Sequence, residues 1–165
     1  MANDYKNITQ GTLKLLDGQG TPAELTILGL EGGVEFTSKR NKAAVMHRGT
    51  PIAWAKATKE PAEISFEVKF KEWESRTTSS SGATASIRDF MLGNYSGAVS
   101  VGDGGDHEFK LQLTLADSGA SGDESEVIVF NNCVLDEASF AENDQVNTLS
   151  FTVRSLDWEP AVTRS

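Results

Sequence analysis

The last third of the chain, SEVIVFNNCVLDEASFAENDQVNTLSFTVRSLDWEP, constrains the fold more than any other segment. Two runs of period-two hydrophobicity, residues 127–135 and 147–158, flank a polar connector, DEASFAENDQ. Within the second run, Leu149, Phe151 and Val153 fall on one side of an extended chain, and Thr148, Ser150 and Thr152 on the other. Side chains alternate across a strand, so this pattern predicts a sheet with one face in a core and the other against water or a polar partner.

The rest of the chain reads the same way. Residues 62–73 alternate Ile64, Phe66, Val68 and Phe70 with Glu63, Ser65, Glu67, Lys69 and Lys71, and predict one long half-buried strand. Residues 11–16 and 23–30 predict a hairpin across DGQGTP, with Gly32 and Gly33 allowing a bend before residues 34–36. Further strands are expected at 51–55, 98–101 and 107–115. The tract SRTTSSSGA is expected to hold no structure of its own. One helix is predicted, at about 85–92, with Thr84 or Ser86 as N-cap, Gly93 as the stop, and Ile87, Phe90 and Met91 on its inner face. About eight strands and one short helix give a mainly β fold: an antiparallel β-sandwich or partly closed barrel in a single domain spanning residues 1–165.

At 165 residues the chain can bury a core without metal or disulfide support. Its single cysteine, Cys133, sits in the apolar run VIVFNNCVL and is expected to be a buried thiol. No secretory signal is visible at the start, and no apolar run approaches the ~20 residues that span a bilayer, so a soluble protein made in a reducing cytoplasm is expected. The net charge of −9 is unevenly spread: residues 1–76 carry 11 Lys+Arg and 10 Asp+Glu, residues 77–165 carry 4 and 14. An acidic half opposes a stable grip on nucleic acid, whether it serves solubility or as a surface past which a polyanion slides.

Chemistry is not written across the chain. His47 and His107 lie in different predicted elements, and His47 sits in a basic segment as an exposed or interface residue. VGDGGDHE and GASGDESE carry several carboxylates but lack the ligand spacing of a calcium loop, and read as acidic turns. No catalytic residue, cofactor or metal site is expected. Three features favour assembly instead. Residues 37–50 (TSKRNKAAVMHRGT) form a predicted 14-residue loop without structure, and Lys39, Arg40, Lys42, His47 and Arg48 are its candidate contacts to a neighbouring copy. The polar arm 1–10 and tail 160–165 are expected to be mobile unless a partner holds them. Long amphipathic strands leave edges open to pairing.

The layout resembles the bacteriophage tail tube (major tail) protein family. It has a polar arm, the hairpin TLKLLDGQGTPAELTI, a long loop before PIAWAKA, the strand AEISFEVKF, a Ser-rich tract, the helix ASIRDFML, and a Thr/Ser-alternating close. The resemblance implies two sheets flanked by a helix, assembled into hexameric rings that stack as a hollow tube conducting DNA within a virion tail, alongside other tail proteins. It further implies that residues 37–50 bridge adjacent rings and that the bore is polar and acidic. The lumen-facing candidates are Glu108, Lys110, Gln112 and Thr114 with Thr148, Ser150, Thr152 and Arg154; Glu63, Glu67, Lys69 and Lys71 form an equally alternating alternative. Secretion-system and pyocin tube subunits share the implied architecture. A carbohydrate- or protein-binding β-sandwich is the other reading, weakened because Trp54 and Trp73 fall in or beside apolar runs.

Overall fold

The computed structural model describes residues 11–28, 30–79, 82–115, 125–141 and 147–164. It is mainly β, as the alternation predicts. The main sheet contains β1 (Thr12–Leu16), β2 (Glu24–Ile27), β3 (Leu30–Thr37), β8 (Ala62–Lys69), β11 (Phe109–Leu115), β12 (Glu126–Ala141), β13 (Thr148–Ser155) and β14 (Ala161–Arg164). All pairings are antiparallel, in the order β2-β1-β11-β12-β13-β8-β3, with β14 added on β12. Three two-stranded pairs complete the strand set among the described residues: β4 (Arg40–Asn41) with β7 (Thr58–Lys59), β5 (Ala44–His47) with β6 (Thr50–Trp54), and β9 (Arg76–Thr77) with β10 (Thr84–Ala85).

The sheet is coiled, and β12 is where it turns. Its first residues lie between β11 and β14, while its later residues pair with β13. Two register shifts accompany the change, opposite Phe109/Leu111 and at Leu135/Glu137. Bulges of this kind bend a strand and increase its twist. At the first, Asn132 takes a left-handed conformation (φ 48), which Asn tolerates better than most residues. The consequence is visible in side chains: β3 and β12 are three strands apart, about 14 Å in a flat sheet, yet the rings of Phe36 and Phe130 meet at 5.5 Å.

Inside the curl, Leu13, Leu15, Leu111, Phe130, Phe66, Phe151 and Val153 belong to one buried cluster drawn from both halves of the sheet. Helix α1 (Ile87–Leu92) covers it with Ile87, Phe90 and Met91, all buried. Ser86 caps the helix, its Oγ accepting from the Asp89 amide at 3.2 Å. Gly93 ends it at φ 70, and the His107 ring lies 2.7 Å from where a Cβ would stand, so only glycine fits.

Five expectations need correction. The strand 62–73 stops at Lys69; residues Phe70–Trp73 form a 3₁₀ turn that swings Phe70 out of the core row to half-exposure against Phe140 (5.4 Å). The connector after Leu135 is strand as far as Ala141, because its polar side chains stay on an exposed stretch of β12. The tail beyond Pro160 pairs with β12 as β14 through backbone bonds and an Arg164–Glu126 ion pair at 2.8 Å. Residues 98–101 form no strand, whereas part of the Ser-rich tract does, as β9, which pairs with β10 just beyond the tract. The arm 1–10 lies outside the described residues.

Candidate functional site

Residues 37–50 are not an unstructured loop. They form the outgoing half of a projecting hairpin whose base is β4–β7 and whose distal part is β5–β6. At the tip, His47 pairs with Thr50 across Arg48 (φ 50) and Gly49 (φ 82). Positive φ at both central residues is the mark of the I′ turn, whose twist matches that of the flanking strands.

The base is fastened to the body by Trp158. Ser38 Oγ donates to the Trp158 carbonyl at 2.6 Å, and the Trp158 indole N–H donates to the Lys39 carbonyl at 3.1 Å. The Arg40 guanidinium lies 4.0 Å from the same ring and the Lys59 ammonium 4.6 Å, both within cation–π range. Asn41 also donates to the Glu60 carboxylate. Beyond this collar, every residue from 39 to 54 is exposed.

The sequence-selected residues separate accordingly. Lys39 and Arg40 belong to the collar, Lys42 sits above it, and His47 and Arg48 are at the tip. Sequence reasoning missed the arm's apolar members. Val45, Met46, Ile52 and Trp54 are all exposed, Ile52 by 63% and Trp54 by 73%. Trp54, read from the sequence as falling in or beside an apolar strand, does lie on a strand, but one that packs against no core and leaves the ring exposed. The available signal was the pair of apolar runs, AAVM and PIAW, inside a basic segment.

Cross-strand pairing relates the two polar sets that the sequence offers. Thr148, Ser150, Thr152 and Arg154 on β13 stand opposite Lys69, Glu67, Ser65 and Glu63 on β8. The two alternatives are therefore cross-strand neighbours on one surface. Glu35 on β3 and Glu137 on β12 join it through their pairings with Ser65 and Thr152. Arg154 is paired with Asp136 at 3.2 Å. Lys110, Gln112 and Thr114 belong to another part of the sheet, opposite Leu16, Lys14 and Thr12 of β1. Lys71 is outside the strand, in the 3₁₀ turn. Glu108 drops out of the polar face because it is buried, its carboxylate accepting from Asn132 Nδ2 (2.7 Å) and the Gly104 amide (3.2 Å). In VGDGGDHE it closes a turn, leaving Asp103 and Asp106 exposed; most of GASGDESE lies outside the described residues.

The buried titratable groups are structural in their surroundings. Asp17 accepts from the amides of Gln19 (3.1 Å) and Ala23 (2.8 Å), Gln19 Nε2 (2.8 Å) and the Tyr95 hydroxyl (3.0 Å). Burial, reinforced by Asp17, raises the Tyr95 phenol. Burial pushes the Cys133 thiol up to about 12, and the thiol donates to the Phe130 carbonyl at 3.3 Å. A thiol that ionises only there supplies almost no thiolate at neutral pH. Folded protein should therefore resist a disulfide reagent at pH 8 for as long as it stays folded, and react at once in denaturant; rapid native labelling would contradict this burial.

His107 faces the edge of the Tyr95 ring at 6.3 Å, and its buried Nε2 has no hydrogen-bond partner among the described residues. Burial lowers its pKa, partly opposed by the Asp17 carboxylate. Below pH ~6.5 the unfolded chain then binds more protons than the folded one, so this contribution is intact above that pH and lost as pH falls through the folded value. His107→Gln should flatten the pH dependence of Tm between 7 and 5; an unchanged slope would assign the dependence to other groups.

Among the described residues, no group of three or more His, Cys, Asp or Glu converges as a metal set, and no helix is long and apolar enough to cross a membrane. No protein-family model matches the chain, and no curated protein matches it by sequence. Solved structures do match over nearly its whole length. A chain of the anti-feeding prophage baseplate superposes with a TM-score of 0.57 at 7% identity, covering 99% of this chain and 97% of that one. A chain of the PVC sheath/tube terminator, from an extracellular contractile injection system, gives 0.54 at 7% identity, covering 99% of each. A chain from the tail of an empty GTA particle, solved with C6 symmetry, gives 0.53 at 15% identity, covering 98% and 99%. The fold is thus tail-tube-like, shared with components of phage-tail-like particles.

Proposed function

We propose that this protein is a structural subunit of a phage tail or tail-like particle, forming hexameric rings that stack into a hollow tube. The observation that carries the reading is the arm. A two-stranded hairpin standing alone is marginally stable in water, and this one exposes four large apolar side chains along residues 39–54. Such a surface marks an interaction site. The arm bridges to the adjacent ring, with Lys42, His47 and Arg48 as its polar contacts. The bore is lined by the polar face that β8 and β13 share with β3 and β12, where Glu35, Glu63, Glu67 and Glu137 outnumber Lys69 and Arg154. Mild repulsion suits passage of DNA, because each phosphate neutralised by Lys or Arg strengthens retention. The subunit has no enzymatic role and joins other tail proteins in the virion, having been made in the bacterial cytoplasm.

Negative-stain microscopy of concentrated purified protein tests this. Rings or hollow rods with six-fold symmetry are expected. Particles that stay monomeric at every concentration and bind a glycan array would replace the tube with a binding module that uses Trp54 as its platform.

A further inference from the structure

The arm grows out of the β3–β8 pair through a neck whose backbone is poorly suited to hold it. Thr37 pairs with Glu63 in the body and Arg40 with Lys59 in the arm, so residues 38–39 face residues 60–62, two against three. An unequal count of this kind interrupts the ladder and bends the strand, and Pro61 has no amide to contribute. The Glu60 amide donates to the Lys39 carbonyl across the gap at 3.1 Å. Charge also works against the neck. Residues 38–61 carry six Lys+Arg and one Glu, against nine and 23 on the rest of the chain. The first rung of the arm sets Arg40 directly opposite Lys59. Like charges facing each other across a strand pair destabilise it, and the neighbouring Glu60 carboxylate is engaged by Asn41 Nδ2.

Trp158 stands at this weak point. The two opposed cations, one from each chain of the neck, lie 4.0 Å and 4.6 Å from its ring centroid, so a single π system attracts both. Its indole N–H is a second donor on the Lys39 carbonyl, and its own carbonyl accepts from Ser38 Oγ. Trp158 is not a member of the buried core cluster. The segment that carries it is tied instead to the bend in β12. Asp157 Oδ2 accepts from Asn131 Nδ2 at 3.0 Å, and the Asp157 amide donates to Ser155 Oγ at 3.1 Å. Ser155 Oγ in turn donates to the Asn131 carbonyl at 2.6 Å, and the Leu156 amide to the Asn132 carbonyl at 3.2 Å. The ring is thus anchored on the body and applied to the arm.

We propose that Trp158 is the pin of the arm: by holding Arg40 and Lys59 against one ring, it closes the neck and fixes the direction in which the hairpin stands. The pin is a property of the single chain and does not depend on what the arm meets. Its role is positioning. Without the ring, the first rung opposes two cations beside an interrupted ladder, and the hairpin swings about residues 38–39 and 60–62. An arm already held in one direction loses less conformational freedom when it engages a partner, which is the advantage of preorganisation.

Pulsed electron-resonance distances between nitroxides at Thr50→Cys, near the arm tip, and Arg88→Cys, on α1, test the pin in the full chain. Both positions are exposed, and Cys133 is buried and stays unlabelled. Dilution with unlabelled protein keeps each measured distance within one molecule. The chain with Trp158 intact should give a narrow distribution. Trp158→Ala should widen it by roughly two-fold or more, because a lone two-stranded ribbon is only marginally stable, while far-UV circular dichroism stays unchanged. Adding Lys59→Glu to Trp158→Ala should narrow it again, since opposite charges across the rung replace the missing ring. If Trp158→Ala does not fold, Trp158→Leu, which keeps apolar volume but has neither π face nor N–H, should show the same widening. A distribution already broad with Trp158 present, or one left narrow by its removal, would overturn the pin. Widening that Lys59→Glu does not reverse would overturn the clamping of like charges on which it is built.

Discussion

Phe151→Ala should lower the unfolding free energy by ~3–5 kcal/mol, the range for truncating a buried aromatic side chain. Phe151 is 1% exposed and stacks on Phe66 across the β13–β8 pair, with ring centroids 5.6 Å apart. Removing it forfeits burial of the ring, its stacking partner, and contacts along a void that the surrounding strands cannot close. For a domain of this size the loss corresponds to a fall in Tm of roughly 10–15 °C. Phe70 provides the contrast. By spacing it belongs to the same row as Phe66, but the 3₁₀ turn leaves it 47% exposed, so Phe70→Ala should cost about 1 kcal/mol or less. Urea denaturation of both variants measures the two values. Equal losses would mean that the row runs on through Phe70 and that the strand does not end at Lys69.

That contrast also shows how much of the fold was legible in the sequence. Where one face of a strand meets a core and the other meets water, burial and polarity alternate together. β8 and β13 could therefore be read from their letters, with Ile64, Phe66, Val68, Leu149, Phe151 and Val153 all turned inward. Helix α1 was equally legible, because Ser86 and Gly93 mark its ends by local chemistry. The arm was not. Both of its faces are exposed, so no burial constraint writes a period of two into residues 39–54. Its tip is Arg48-Gly49 and lacks the Asn-Gly or Asp-Gly that advertises a two-residue hairpin turn. β14 escaped for a related reason: Ala161–Arg164 is held on β12 by backbone pairing along an exposed edge, which demands little of side chains. Nor could spacing show that the polar residues of β8 and β13 share one surface, since that depends on which strands become neighbours. Glu108 was misplaced because alternation reports which side of a strand a residue is on, while its burial comes from the turn that wraps over it.

Replacing Ile52 and Trp54 together by Asp should have the opposite signature to Phe151→Ala. Both side chains project from a hairpin that touches no core, so the monomer's unfolding midpoint should move by no more than ~0.5 kcal/mol. Self-association should suffer heavily. Each large apolar side chain buried in an interface contributes about 1.5–3 kcal/mol by removal from water, and a carboxylate in its place must be desolvated or kept out. A combined loss of ~3–6 kcal/mol converts, at 1.4 kcal/mol per decade, to a rise of roughly 10²–10⁴-fold in the concentration needed for assembly. Exposed charges behave differently: reversing Lys42 and Arg48 should change the salt dependence and rate of assembly more than its end point, because long-range attraction between arm and body is screened over ~8 Å at physiological salt. Sedimentation velocity across a concentration series, at two salt levels, separates the two effects. If the Asp pair assembles like the unmodified chain, the arm is not the adhesive element, however exposed it stands, and self-association would have to rest on other surfaces such as the strand edges.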